Sequence, residues 1–245
     1  VTSRRSLWFY LYTLDAAKRR GCKVMMYGCG IGPVLREEHR RLASNVLNAC
    51  VDVITLREPD SLKELQSMGV TKPEILLTAD PALTLPAAGA DEIDSVLLRA
   101  GIPPHGKYLC FALRNWKGFA DKAPLFGQAA KYAYETYGLT PVFTAVEKHL
   151  DPGAGRLAAA GLDIPHYFLD DAGNASTIIG ALSRMRVVVS MRLHALIFAA
   201  GQGVPLAGVV YDPKVSAFLR YIGQENFRAL DTLTLGDLTA MIDSM

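Results

Sequence analysis

The sequence predicts an α/β fold built on parallel sheets with helices on both faces. Three observations carry that prediction. Short aliphatic and β-branched runs alternate with longer segments whose apolar residues recur at helical spacing. Glycine or proline stands at many of the boundaries between them. The short runs are continuously apolar, the pattern of strands buried on both faces. Half of the 245 residues are hydrophobic and 20% are charged, enough for the core of one large or two modest domains.

The elements follow in order. "RRSLWFYLYTLDAAKRR" (4–20) carries an apolar face at helical spacing and Gly21 ends it. "KVMMYG" (23–28) reads as a buried strand, and "GCGIGP" (28–33) as a glycine-rich turn. Residues 36–50 form a helix with its basic residues outward. "VDVITLRE" is a strand with Arg57 at its carboxyl end. "PDSLKELQSMG" opens with Pro59 and Asp60 and closes on Gly69, a short punctuated helix. "EILLTADPAL" is a third strand, and "TLPAAGADE" (84–92) reads as a linker. This places a first α/β domain at 1–85.

After a helix to Gly101 the pattern restarts. "KYLCFALR" is a strand ending at Arg114; 121–137 is a long helix; "PVFTAV" and "IPHYFLD" are strands, with a short helix ending at 157–161 between them. "NASTIIGALSRM" is a helix capped by Asn174. "VVVS" is a strand, "LHALIFAA" a helix and "VPLAGVV" a second buried strand. A carboxy-terminal α/β domain then spans 93–232. The helix in 233–245 is read as one that can cross back to the first domain.

The bulk numbers exclude some classes. Net charge is +2, with Lys+Arg 26 against Asp+Glu 24, which gives no support for nucleic-acid binding. "REEHRR" (36–41) is the densest basic cluster. The four cysteines, Cys22, Cys29, Cys50 and Cys110, show no metal-ligand spacing and read as buried thiols of a reducing, cytoplasmic compartment. No metal site is expected. No apolar run approaches the roughly 20 residues that span a bilayer, and no signal peptide is visible. The start at Val1 and the end "LTAMIDSM" read as the ends of a piece of a larger protein.

Ligands in open α/β sheets bind where strands end and helices begin. Polar groups recur at such ends: the turn after Tyr27, Arg57, Asp80, Arg114, Arg192 with His194, and Lys214. Any one arginine is equally well read as a solvated surface side chain, and His194 as a satisfied core histidine. "GCGIGP" lacks the dinucleotide spacing because Pro33 stands where the last glycine belongs. A turn offering backbone N–H groups of Gly30 and Gly32 to an anion survives that objection. His39 reads as solvated. Lys214, in the first turn of a helix opened by Asp212 and Pro213, opposes the helix dipole. No Ser/His/Asp elbow, HExxH or paired-carboxylate pattern appears.

"YGCGIGP", "ITLREPDS", "TADPAL", "FALRNWKG", "VVVSMRLHALIFAAGQGVPLAGVVYDPKV" and "FLRYIG" together resemble the polysaccharide pyruvyl transferase family, most closely its CsaB type. The resemblance runs from about Ser3 to Gly223. Cys29 stands where the family usually has Gln, and the family's glycine-rich amino-terminal segment is not in this sequence. The resemblance therefore implies a first domain lacking its opening strands.

The resemblance also implies a GT-B-like pair of Rossmann-like domains with the active site in the cleft between them. It implies pyruvyl transfer from phosphoenolpyruvate to a sugar as a cyclic ketal. For the CsaB type the acceptor is a lipid-linked, N-acetylmannosamine-containing precursor of a cell-wall polysaccharide that anchors surface-layer proteins. Such an acceptor places the enzyme at the inner membrane face. The donor's phosphate and carboxylate call for guanidinium forks and a lysine. On this reading His194 is the acid/base, Arg192 with Leu193 and Arg114 hold the donor, and Lys214 neutralises the leaving phosphate. Arg36 or Arg57 contributes from the first domain. Two rivals stand beside it: a GT-B glycosyltransferase using a nucleotide sugar, and a non-catalytic scaffold that binds neither donor. The sequence does not give the oligomeric state.

Overall fold

The computed structural model describes residues 4–245; Val1–Ser3, with the start of the resemblance, lie outside the described residues. The chain divides into two compact units, Val1–Pro81 and Ala82–Met245.

In the first unit, α1 (Arg4–Arg19), β1 (Met25–Cys29), α2 (Glu37–Cys50), β2 (Val53–Leu56), α3 (Pro59–Ser67) and β3 (Glu74–Leu77) follow one another. The strands form a parallel sheet in the order β1-β2-β3. Its core is Leu47, Val51, Ile54, Leu56, Leu65 and Val70, where the apolar faces of α2 and α3 meet the central strand. The expectation of a buried β1 is corrected. Among the described residues β1 pairs only with β2, and Met25 and Tyr27 are exposed. A continuous apolar run shows that a strand is apolar, not that both its faces are covered.

The second unit carries α4 (Ala90–Arg99), β4 (Tyr108–Ala112), α5 (Phe119–Tyr137), β5 (Thr140–Thr144), α6 (Pro152–Ala158), β6 (Tyr167–Leu169) and α7 (Ala175–Ser183). It continues with β7 (Val187–Ser190), α8 (Leu193–Gly201), β8 (Leu206–Val210), α9 (Pro213–Tyr221), β9 (Phe227–Ala229) and α10 (Leu235–Asp243). All six strands are parallel, in the order β6-β5-β4-β7-β8-β9. Counted within the unit this is 3-2-1-4-5-6, the doubly wound order, and it reverses between β4 and β7. β9, which the sequence reading does not anticipate, closes the β8 edge.

Two cores sandwich this sheet. One joins α4, α7, α8 and α9 around Leu97, Leu182, Leu196 and Leu219. The other joins α5, α6 and α10 around Phe111, Phe126, Phe143 and Leu238. The α10 helix is seated on α5 within this unit: Tyr132 and Tyr137 both donate to Asp243, at 2.7 and 2.8 Å. The segment read as a linker is fastened to the second unit as well. Ala87 and Ala88 pack on its core and the Ala88 N–H donates to the Ser176 carbonyl at 2.9 Å. The caps at Asn174 and Asp212 form as expected, Asn174 in a capping box and Asp212 accepting the Lys214 N–H, and Thr234 makes a further capping box.

Candidate functional site

The carboxyl ends of six parallel strands share one edge of the second sheet. Arg114 follows β4, Arg192 and His194 follow β7, and Tyr211 and Lys214 follow β8. These strands are neighbours in the order β4-β7-β8. With strands about 4.8 Å apart, the three loops lie within about 10 Å across the sheet. They straddle the point where strand order reverses, the crevice that α/β sheets use for ligands.

Each side chain is held by its own local chemistry. Arg114 donates to the Tyr211 hydroxyl at 2.9 Å, and its guanidinium lies 4.9 Å from the Trp116 ring and 5.3 Å from the Tyr211 ring. This bond joins the β4 loop to the β8 loop across the end of β7. The Lys214 ammonium stands 5.9 Å from the same Tyr211 ring and 3.9 Å from Asp212. Planar arginine between two rings is fixed in orientation, with N–H groups left for an incoming anion.

Ser190, fully buried at the end of β7, shapes the next turn. Its hydroxyl accepts the Arg192 N–H at 2.8 Å and lies 3.1 and 3.0 Å from the carbonyls of Ala112 and Arg192. Arg192 then caps α8 with extended backbone, Leu193 buries into the core, and His194 projects as an exposed residue with its ring 6.1 Å from Phe198. This corrects the core-histidine reading of His194. The opening N–H groups of α8 face the same edge, where the helix dipole favours an anion.

Arg192 is not a free fork. It donates to Asp151, whose other oxygen accepts the N–H groups of Val146 and Glu147 at 3.1 and 2.8 Å. The Asp151 side chain is 1% exposed and that of Arg192 14%. The Arg192 Nε is buried without a hydrogen-bond partner. Sequence reading misses Asp151 entirely. The only local signal, an aspartate before Pro152, reads as an ordinary helix opening.

The first-unit candidates behave differently. Arg57 is engaged by two carboxylates, Asp80 at 2.7 Å and Glu58 at 3.3 Å. The glycine-rich turn is filled by the chain itself. The N–H groups of Gly28, Ile31 and Val34 donate to Thr55, Ser61 and Glu64 at 2.7, 2.6 and 2.9 Å. A Cβ on Gly30 would meet Arg57 at 3.0 Å, and one on Gly32 would meet Glu64 at 2.7 Å. These glycines make room for side chains of their own unit, and the nearby Glu58 and Glu64 disfavour an anion. Arg36 is exposed, its nearest carboxylate being Glu38 at 3.7 Å. Arg40 turns inward to Glu64 at 2.8 Å, correcting the outward placement of that helix's basic residues. His39 is mostly covered, its side chain 15% exposed, against the solvated reading. Cys22 is exposed, against the buried-thiol reading, while Cys50 and Cys110 are buried.

Among the described residues, no helix is long and apolar enough to cross a membrane. A family model described as "Polysaccharide pyruvyl transferase" matches residues 2–213. A search of curated proteins finds no match. Solved structures share the fold at low identity. The UDP-GlcNAc 2-epimerase of Methanocaldococcus jannaschii aligns with TM-score 0.67 and 10% identity over 95% of this chain and 66% of that one. The glycosyl transferase family 9 protein of Veillonella parvula aligns with TM-score 0.56 and 12% identity over 100% of this chain and 80% of that one. The ADP-heptose LPS heptosyltransferase II of E. coli aligns with TM-score 0.51 and 13% identity, covering 84% and 79%. The chain thus spans just under two thirds of the first of these, and the likeness shows the Rossmann-like fold.

Proposed function

This chain belongs to the polysaccharide pyruvyl transferase family, and we propose that the second unit binds phosphoenolpyruvate for transfer of its pyruvyl group to a sugar. The observation that carries the reading is the convergence of Arg114 and Lys214 on the strand-reversal edge, with Arg192, held by Asp151, in the turn between them. A donor with a phosphate and a carboxylate needs several fixed cations, and three strand ends supply them. Arg36 and Arg57 are secondary candidates, Arg57 the weaker because of its ion pairs.

The chemistry requires one proton delivered to the methylene carbon of the enol. Two sugar hydroxyl oxygens then form bonds to the neighbouring carbon, and its bond to the phosphate oxygen breaks. Of the two hydroxyl protons released, one balances the new methyl group and the other leaves with the phosphate. His194, exposed at the first turn of α8, supplies and collects these protons. Arg114 and Arg192 orient the donor, the latter with Leu193 fixing its turn, and Lys214 meets the charge on the departing phosphate. By the CsaB-type resemblance, the acceptor is a lipid-linked precursor bearing N-acetylmannosamine, and the product serves surface-layer anchoring.

Calorimetric titration of phosphoenolpyruvate tests this, beside Arg114→Ala and Lys214→Ala variants. Saturable binding that both variants weaken by about tenfold or more supports the donor site. Binding of UDP in place of phosphoenolpyruvate turns the reading to a nucleotide-sugar glycosyltransferase. A His194→Ala protein with unchanged turnover removes the acid/base assignment.

A further inference from the structure

A second feature lies beside the cationic cluster and shares Trp116 and Tyr211 with it. A cavity of about 430 Å3 opens between the loop before α5 and the start of α9. Its volume falls in the roughly 300–1,000 Å3 range of small-molecule sites. Trp116 and Tyr211 line it, their ring centroids 4.9 Å apart at 59°. Lys117, Asp212, Ser216 and Asp231 supply its polar groups.

Trp116 is 42% exposed, an unusual placement for so large an apolar surface. The Arg114 guanidinium, 4.9 Å away, holds it there. An exposed but pinned aromatic ring presents a flat apolar face at little entropic cost. Two aspartates against the single Lys117 leave the lining net negative, which disfavours a doubly negative donor. Carboxylates and a hydroxyl suit instead a ligand rich in O–H donors. Each carboxylate offers about four acceptor positions, and the bonds seen here, Lys214 N–H to Asp212 at 3.1 Å and Thr232 N–H to Asp231 at 3.0 Å, use one position each.

We propose that this cavity is the acceptor subsite and takes a neutral pyranose ring, stacked on Trp116 and hydrogen-bonded through its hydroxyls to Asp231 and Asp212. The proposal rests on the pyruvyl-transfer reading for the word acceptor; the match to a neutral sugar rests on the cavity alone. Tyr211 belongs to both places. It lines the cavity, bonds Arg114 at 2.9 Å and lies 5.9 Å from the Lys214 ammonium. A sugar in the cavity therefore sits next to the groups that would hold the donor, which is the proximity a two-substrate transfer needs.

The chain has two tryptophans, Trp8 and Trp116, so a Trp8→Phe background makes fluorescence report on the cavity alone. The probe is methyl N-acetyl-β-D-mannosaminide, titrated into that protein and into its Asp231→Asn and Ser216→Ala derivatives. Asp231 is exposed, so its variant is expected to fold. A saturable change in Trp116 emission, weakened about tenfold by Asp231→Asn while phosphoenolpyruvate affinity is unchanged, supports the subsite. Saturable sugar binding with no phosphoenolpyruvate binding to the parent upholds the sugar site and overturns the transfer reading. No saturable sugar response, or a Trp116 response to UDP and none to the glycoside, overturns the subsite.

Discussion

Asp151 and Arg192, 41 residues apart in sequence, form an ion pair whose two side chains are 1% and 14% exposed. The pair ties the loop after β5 to the turn that begins α8. Removing either partner leaves the other charge covered and short of its counter-ion. Asp151→Ala and Arg192→Ala should each cost about 3–5 kcal/mol. The double variant should cost clearly less than the sum, because both changes break the same contact. Urea unfolding of the four proteins measures this. Additive losses would show that the two side chains do not act as a unit.

The corresponding pair in the first unit is Arg57 with Asp80, at 2.7 Å with Asp80 7% exposed in its side chain. Arg57→Ala removes that ion pair and opens space beside Gly30. The expected result is a loss of about 3 kcal/mol in stability. A Lys at this position recovers only part of it, since it cannot reach Asp80 and Glu58 with a planar fork. Thermal melting of both variants reads the difference; equal melting temperatures for wild type and Arg57→Ala would contradict it.

Two glycines of neighbouring helices should respond in opposite directions. A Cβ on Gly127 of α5 would come within 2.5 Å of the Ala158 carbonyl oxygen, a backbone atom that cannot rotate away. Gly127→Ala is expected to lose about 1–3 kcal/mol by overpacking the α5–α6 contact. Gly153 in α6 has open space around its Cβ position and no positive φ. Gly153→Ala should gain up to about 1 kcal/mol of helix propensity. Chemical denaturation of the pair settles the sign in each case.

Burial pushes the Cys110 thiol up to about 12, from an ordinary value of 9.0. The folded chain thus keeps this proton at a pH where the unfolded chain has released it. The stabilisation is complete below about 9 and is lost as pH rises from there towards 12. Cys110→Ala should flatten this part of the stability profile. Thiol labelling offers a second check, with exposed Cys22 reacting first and Cys110 last. Rapid modification of Cys110 in the native protein would contradict its placement.

Much of the second unit was legible in the sequence, because its strands are short apolar runs closed by glycine, proline or a capping residue. Asn174 and Asp212 with Pro213 mark helix starts where the structure has them. Other features were hidden for physical reasons. β9 is three residues long with Arg228 at its centre, so no apolar run marks it as the longer run around β6 does. Covering of β1 depends on neighbours that its own residues do not encode. Arg40 and Arg57 look like surface cations because their carboxylate partners, Glu64 and Asp80, lie 24 and 23 residues away. Asp151 and the Trp116–Tyr211 cavity arise only when distant loops are brought to one sheet edge.

The reversal between β4 and β7 sends the chain to opposite sides of the sheet from adjacent strands. The loop after β4 leads into α5, which is anchored in the core with α6 and α10. The turn after β7 leads into α8, anchored in the core with α4, α7 and α9. Changes at Lys117 and Gly118 are therefore carried by one layer, whereas a change at Trp116 reaches the other through Tyr211, 4.9 Å away. Under the proposed assignment, acceptor preference could diversify by loop exchange while the donor chemistry stayed fixed, so that one scaffold could decorate different glycans with the same group.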